Sequence, residues 1–364
     1  MKGNVYNAIA CSLTPTIATA YNRVSDDHVL ENDRCVLGKR VALVLTVGQE
    51  DSLLIEINDS GRVQAVAFAP NGEYLVSGSE GVRVWRVEDG KQMATLEAIG
   101  VSCLVVSKDG RWIAAGTSLG DVFVWDTKTF EKVLSQREEM RHRRHDSIVA
   151  VDFSPDSTRL VSASLYGKGT IWDITTRQQV GTLEHGYLVR TAKYSPQGDR
   201  IATATPDSVR VWGSNDGRFL MDIKVTVAPW FNTGLLWFND RLIVISDSKI
   251  KQFEASRWST VSDWPVHESG RFSCIALPKN GRFIAYSTKR TVTFWDIATR
   301  TQLGLIQHPQ DIRSIAVSPN DRFLAIGGED GRNTIHSLFP ITVSTLSRWM
   351  VVHVNNFLAS ILFP

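Results

Sequence analysis

Histidine and cysteine carry the chemistry within easiest reach of this chain, which has 364 residues, eight of them histidine and four cysteine. A metal centre needs such side chains at ligand spacing, and a covalent nucleophile needs a base beside it. The cysteines, Cys11, Cys35, Cys103 and Cys274, form no CxxC pair and no dense framework. That distribution suits a reducing, intracellular setting, cytoplasmic or nuclear. The sharpest charge cluster is REEMRHRRHD (137–146). His142 and His145 lie in it without a further ligand, and Glu138 and Glu139 offset the arginines, so a solvated loop is the expectation. VLGKRVALV (36–44) hints at a phosphate loop, but it lacks the upstream glycine, and Arg40 stands where Ser or Thr should follow Lys39. The chain has no H-E-x-x-H pair. The expectation is a chain that is not an enzyme, with no catalytic, cofactor or metal residues.

Composition narrows the partner class. A chain that is 43% hydrophobic and 21% charged can bury a large core, and a net charge of +2 supplies no field for nucleic acid or an acidic membrane. The first residues, MKGNVYNAIACSLTPTIATAYNR, lack the apolar core of a signal peptide. The segment 341–364 is apolar but interrupted by His353, Asn355 and Asn356. Packing onto the propeller or a loosely ordered terminus is the expectation for it, and an amphipathic helix for a membrane or a partner is the alternative.

A repeat positions everything else. GVRVWRVEDGK (81–91) returns as DVFVWDTKTFEK, GTIWDITTRQQ, SVRVWGSNDGR and TVTFWDIATRTQ. Trp85, Trp125, Trp172, Trp212, Phe253 and Trp295 are separated by 40, 47, 40, 41 and 42 residues. A second marker fixes the register. Lys108, Pro155, Pro278 and Pro319 each precede the aromatic slot by 17 residues, which places His336 in the slot of a seventh copy. Each copy reads as four alternating strands bounded by Gly, Pro, Asn and Asp turns, the pattern of a propeller blade. The recurring tryptophan is then a wedge between blades. DSLLIEIN (51–58) is a strand without a blade, and the seventh copy lacks its fourth strand. The expectation is an all-β, seven-bladed propeller of four-stranded antiparallel blades over 51–340, closed when the N-terminal strand completes the last blade. Residues 1–50 form an extension.

The motifs VWD (124–126), IWD (171–173) and FWD (294–296), with the variants VWR and VWG, resemble the WD-repeat family. The resemblance implies a seven-bladed propeller that serves as a non-catalytic platform for protein complexes. It also implies a hydrogen-bonded set that pins each blade, complete in the fourth copy as His185, Thr203, Asp207 and Trp212. His267 and His308 share the register of His185. Copy three departs at Tyr166, copy six at Lys289 and Arg290, and copy seven at His336.

Partners of such proteins touch the top face, where first strands begin and second-to-third turns lie. By register this selects Arg62, Gln64, Glu80, Tyr166, Arg190, Phe231, Arg290, Asp311 and Arg313. Arginine and aromatic residues dominate binding hot spots. The set reads as a mostly basic ring suited to an acidic peptide, on a monomeric propeller within a complex. Two alternatives stand beside the scaffold: a ligand-sensing module of a signalling ATPase system, and a propeller hydrolase or lyase.

Overall fold

The computed structural model of the chain describes residues 53–59, 61–137, 147–186, 188–225, 234–246, 249–265 and 274–338. All of them lie in the unit Gln49–Ile341, one of two into which the chain divides. They form seven four-stranded sheets. Six are simple antiparallel meanders, over 65–96, 101–137, 148–184, 191–224, 235–265 and 274–307. We call these blades 1 to 6. Blade 7 takes three strands from 312–337, and its outer strand is Leu53–Asn58. That strand pairs antiparallel with Arg332–Ser337, as the unpartnered N-terminal strand predicts.

Alternation decides which side chains face inward. In the second strand of blade 1, Leu75 and Val76 are fully buried, and in the third strand Val82, Val84 and Trp85 are buried. The seven slot residues, Trp85, Trp125, Trp172, Trp212, Phe253, Trp295 and His336, are between 1 and 6% exposed. Most join clusters that draw on two adjacent blades. Trp212, for example, packs with Val161, Ala163 and Ile171 of blade 3. Burial of one such indole is worth several kcal/mol, roughly 3–5 on truncation to alanine.

The outer strand bulges at one point in every blade. The register breaks between Val84 and Trp85, Val124 and Trp125, Ile171 and Trp172, Val211 and Trp212, Gln252 and Phe253, and Phe294 and Trp295. In blade 7 the same break falls opposite Ile335 and His336, between Leu53 and Ile55. The closing strand therefore reproduces the local geometry of the strand it replaces.

Two belts link neighbouring blades at the bottom, where first strands turn into second strands. In the first belt several turns lean on the turn before them. Gly110 of blade 2 sits against Pro70 of blade 1, and Gly198 of blade 4 against Pro155 of blade 3. Blade 7 uses Asp321 instead, whose carboxylate accepts the N–H groups of Lys279 (2.7 Å) and Asn280 (3.1 Å) in blade 6. The contact is tightest at Gly281 (φ +62°), where a Cβ would fall 1.8 Å from the ring of Phe238. The second belt is a guanidinium strap. Arg159 donates to the Ser214 carbonyl at 3.1 Å, and Arg200 donates to the Ala255 carbonyl at 2.9 Å. Each spans 55 residues from one blade to the next.

The closing seam is stitched further. Asp59 N–H donates to Gly331 O (2.6 Å), Val63 N–H to Gly328 O (3.1 Å), and Val66 N–H to Ser314 Oγ (3.0 Å). A chain lacking everything through Asn58 exposes the edge of Arg332–Ser337 and loses the buried Ile57, so it should melt well below the full chain. Calorimetry giving equal melting curves would refute the clasp. Gly281→Ala combines positive φ with a clash and should cost roughly 2–4 kcal/mol. Gly304→Ala, with open space around it, should be near neutral, both read from urea titration.

Candidate functional site

Two kinds of polar site emerge, one inside the blades and one on the top face. Inside blade 4, Trp212 Nε1–H donates to Thr203 Oγ1 at 2.8 Å, and Thr203 Oγ1 lies 2.7 Å from His185 Nε2. His185 Nδ1 faces the Leu183 carbonyl at 3.1 Å, so Nδ1 carries the proton and Nε2 accepts from the threonine. Burial pulls the His185 pKa down to about 4, which keeps the ring neutral as this relay requires. Asp207 accepts from Thr205 Oγ1 on the same turn at 3.0 Å.

The other blades vary the relay. In blade 3, Trp172 Nε1–H donates to Ser162 Oγ at 2.9 Å; in blade 6, Trp295 Nε1–H donates to Tyr286 Oη at 3.2 Å. Blade 1 ends it on a carboxylate. Trp85 donates to Ser77 Oγ at 2.7 Å, and Ser77 donates to Asp59 at 2.5 Å. The Asp59 side chain is fully buried and also accepts from Ser79 and Arg83. Asp59 precedes Trp85 by 26 residues, as His185 precedes Trp212 by 27, so the register held a signal that a search for histidine alone misses. In blade 7, His336 Nε2 lies 3.0 Å from Thr334 Oγ1, and burial, aided by neighbouring His308, lowers its pKa to about 4. His267 and the 138–146 part of the basic cluster lie outside the described residues.

The channel wall is built from first strands and is mostly apolar. Cys103 and Cys274 occupy matching positions opposite Gly116 and Ser287. Burial pushes their thiols up to about 12 and about 11, which makes them poor nucleophiles. Lys193 Nζ of blade 4 and Asp152 of blade 3 pair at 3.0 Å, and Asp152 also accepts the Tyr194 N–H at 2.8 Å. Among the described residues no group of three or more His, Cys, Asp or Glu is placed to hold a metal, and no helix is long and apolar enough to cross a membrane.

On the top face the selected residues separate. Tyr166 projects from its turn, 49% exposed, and Gln64 is half-buried, donating its backbone N–H to Gly78 O at 2.8 Å. Glu80 folds over Gly61. Arg190 leads into blade 4; its Nε is buried without a partner among the described residues, and burial lowers its pKa. Phe231 lies outside the described residues. The remainder gather at the junction of blades 6, 7 and 1. Arg290 donates to Asp311 at 3.1 Å, with Lys289 at 3.9 Å from the same carboxylate. Arg62 and Arg313 share Glu329, Arg62 at 2.9 Å. The basic residues are thus held in a ladder of alternating charge. Register singled out neither Glu329 nor the role of Lys289, because the pairing crosses blades.

A closed ring of seven four-stranded blades with a polar, exposed top face is a WD-repeat β-propeller. The chain belongs to the family described as "Nucleolar protein 10-like, N-terminal domain", whose profile matches residues 57–255. A "WD domain, G-beta repeat" profile matches residues 300–336. The chain is similar to "Transcriptional corepressor LEUNIG_HOMOLOG" of Arabidopsis thaliana, 25% identical over 195 residues, covering 50% of this chain and 24% of the relative. "WD repeat-containing protein 1" of Mus musculus is 38% identical over 86 residues, covering 24% of this chain and 14% of the relative. "WD repeat-containing protein 18" of Danio rerio is 23% identical over 285 residues, covering 68% and 63%. The chain therefore spans 24% or less of the length of the first two relatives. A chain in "Crystal Structure of Mitotic Checkpoint Complex" superposes with TM-score 0.67 at 15% identity, covering 86% of this chain and 99% of that one, a likeness of fold.

Two expected outcomes test the pins. Asp59→Ala leaves Arg83 buried without its carboxylate and should cost roughly 3–5 kcal/mol, with Asp59→Ala/Arg83→Met recovering part of it. Calorimetry showing an unchanged melting temperature would exclude Asp59 as a pin. The neutral His185 and His336 bind protons more readily unfolded, near pH 6.5, than folded, near 4. Their stability is present above about pH 6.5 and is lost as pH falls toward about 4. His185→Asn should flatten the fall in melting temperature across that window, and a slope matching wild type would rule the histidine out.

Proposed function

We propose that this chain is a non-catalytic protein-interaction scaffold whose partners dock on the top face. The observation that carries this reading is the ladder at blades 6, 7 and 1. It joins four exposed cations to two carboxylates on rigid turns, which is the make-up of a polar recognition surface and offers no nucleophile. An acidic peptide is the partner that suits its surplus charge. Arg190, Tyr166, Gln64 and Glu80 extend the same face. Membership in a WD-repeat family supports the scaffold role, and the nucleolar name of the matched profile supports a nuclear setting. We extend the propeller to the whole of 51–340, with 1–50 and 341–364 as flanking segments.

Affinity capture from cell extract tests the reading. The wild-type chain is compared with Arg62→Glu/Arg190→Glu/Arg313→Glu, after both are shown to melt cooperatively. Specific partners should be lost from the triple variant. Partners retained equally by both would move the interface off the top face.

A further inference from the structure

We propose that the top face at the junction of blades 6, 7 and 1 receives a phosphorylated peptide, a phosphoserine or phosphothreonine whose dianion is held by Arg62, Arg290 and Arg313. The inference rests on the scaffold reading and narrows the chemistry of its partner.

All three guanidiniums meet their carboxylates through the same atom. Arg290 Nε donates to Asp311, Arg313 Nε donates to Glu329, and Arg62 Nε lies 2.9 Å from Glu329. Contact through Nε uses one edge of each guanidinium, and the Nη1–Nη2 pair forms another edge. Among the described residues none of the three makes another hydrogen bond. That Nη pair is the edge that forks onto an oxyanion. The internal carboxylates lie deeper than the cations. Asp311 and Glu329 are 34% and 25% exposed, whereas Arg313, Arg290, Arg62 and Lys289 are 40, 57, 68 and 79% exposed. The carboxylates act as anchors and the guanidiniums as the presented surface.

The backbone beneath is fixed. Glu329 N–H donates to Asp311 O at 2.9 Å, which joins the two anchors. Ile312 N–H donates to Lys289 O and His308 N–H to Arg290 O, both at 2.7 Å, which holds the turn that carries Arg290. Arg313 is the extra residue of a bulge between Ile312 and Ser314, and such bulges re-aim a side chain out of the ladder. Side chains held in advance lose less freedom on binding.

Charge selects the ligand. Four cations are paired with two carboxylates, and with Glu80 at the edge counted the surface keeps one positive charge in excess. A phosphate monoester carries about −1.5 to −2 at neutral pH and three strong acceptor oxygens, against one charge and two oxygens for a side-chain carboxylate. Glu80, packed over Gly61 next to Arg62, bounds the site on the blade 1 side and disfavours acidic residues there.

The test measures retention of the purified full chain on immobilised degenerate peptides with a central phosphoserine, phosphothreonine, glutamate or serine. Retention on the phosphorylated peptides should exceed the other two by roughly tenfold, and inorganic phosphate should compete. Arg290→Gln and Arg313→Gln, with melting temperatures unchanged, should each lower it by roughly tenfold. Glu329→Gln removes a negative charge yet should weaken retention, because Arg62 and Arg313 lose their anchor. Equal retention on glutamate and phosphoserine would overturn the proposal, as would a folded Arg290→Gln/Arg313→Gln variant that binds like wild type. Stronger retention by Glu329→Gln would reveal diffuse attraction and overturn it too. Should the Arg62→Glu/Arg190→Glu/Arg313→Glu chain lose its captured partners while phosphate selectivity is absent, the phosphate assignment fails and the scaffold stands.

Discussion

A four-stranded sheet has two apolar faces and no means of burying both by itself. That constraint shapes the whole molecule. Each blade buries its faces against its neighbours, and the slot aromatics fill the space between sheets. An open row of blades would leave two faces uncovered, so closure is part of the same requirement. The strand Leu53–Asn58 meets it by joining the last blade while Asp59, the next residue, is anchored in the first. One short segment therefore ties together both ends of the ring.

Inside this frame the blades are not equivalent. Blade 4 pins its tryptophan through threonine to a neutral histidine, and blade 1 pins its own through serine to a buried carboxylate with an arginine partner. These are two solutions to one problem, an indole N–H that must be satisfied away from water. Histidine provides an acceptor without charge. The carboxylate is a stronger acceptor but requires Arg83 beside it. The straps from Arg159 and Arg200 and the leaning turns add contacts at the bottom. The top face is left as the surface with side chains to spare.

Electrostatics there is a matter of arrangement more than amount. A free arginine on a loop samples many rotamers and is well hydrated. One held through Nε by an internal carboxylate keeps its fork pointed and its charge partly balanced until an anion arrives. Glu329 pairs with two arginines from adjacent blades, so this cluster of charges exists only because the ring is closed.

The sequence by itself determined the repeat, the blade count, the slot residues and the closing strand. Each follows from local alternation and spacing: Pro319 to His336 carries the interval of Pro155 to Trp172 with no tryptophan present. The family resemblance marked His185, Thr203, Asp207 and Trp212 as one set; Trp212, Thr203 and His185 form a relay, and Asp207 accepts from Thr205 on the adjoining turn. Only the tertiary structure decided which side chains meet across a seam. Arg62 and Glu329 stand at nearly opposite ends of the chain and touch because the first and last blades are neighbours. Arg159 reaches Ser214, and Asp321 reaches Lys279, through the curvature of the ring. Spacing within a repeat encodes hydrogen bonds along one sheet, whereas contacts between sheets depend on how closely and at what angle the blades pack.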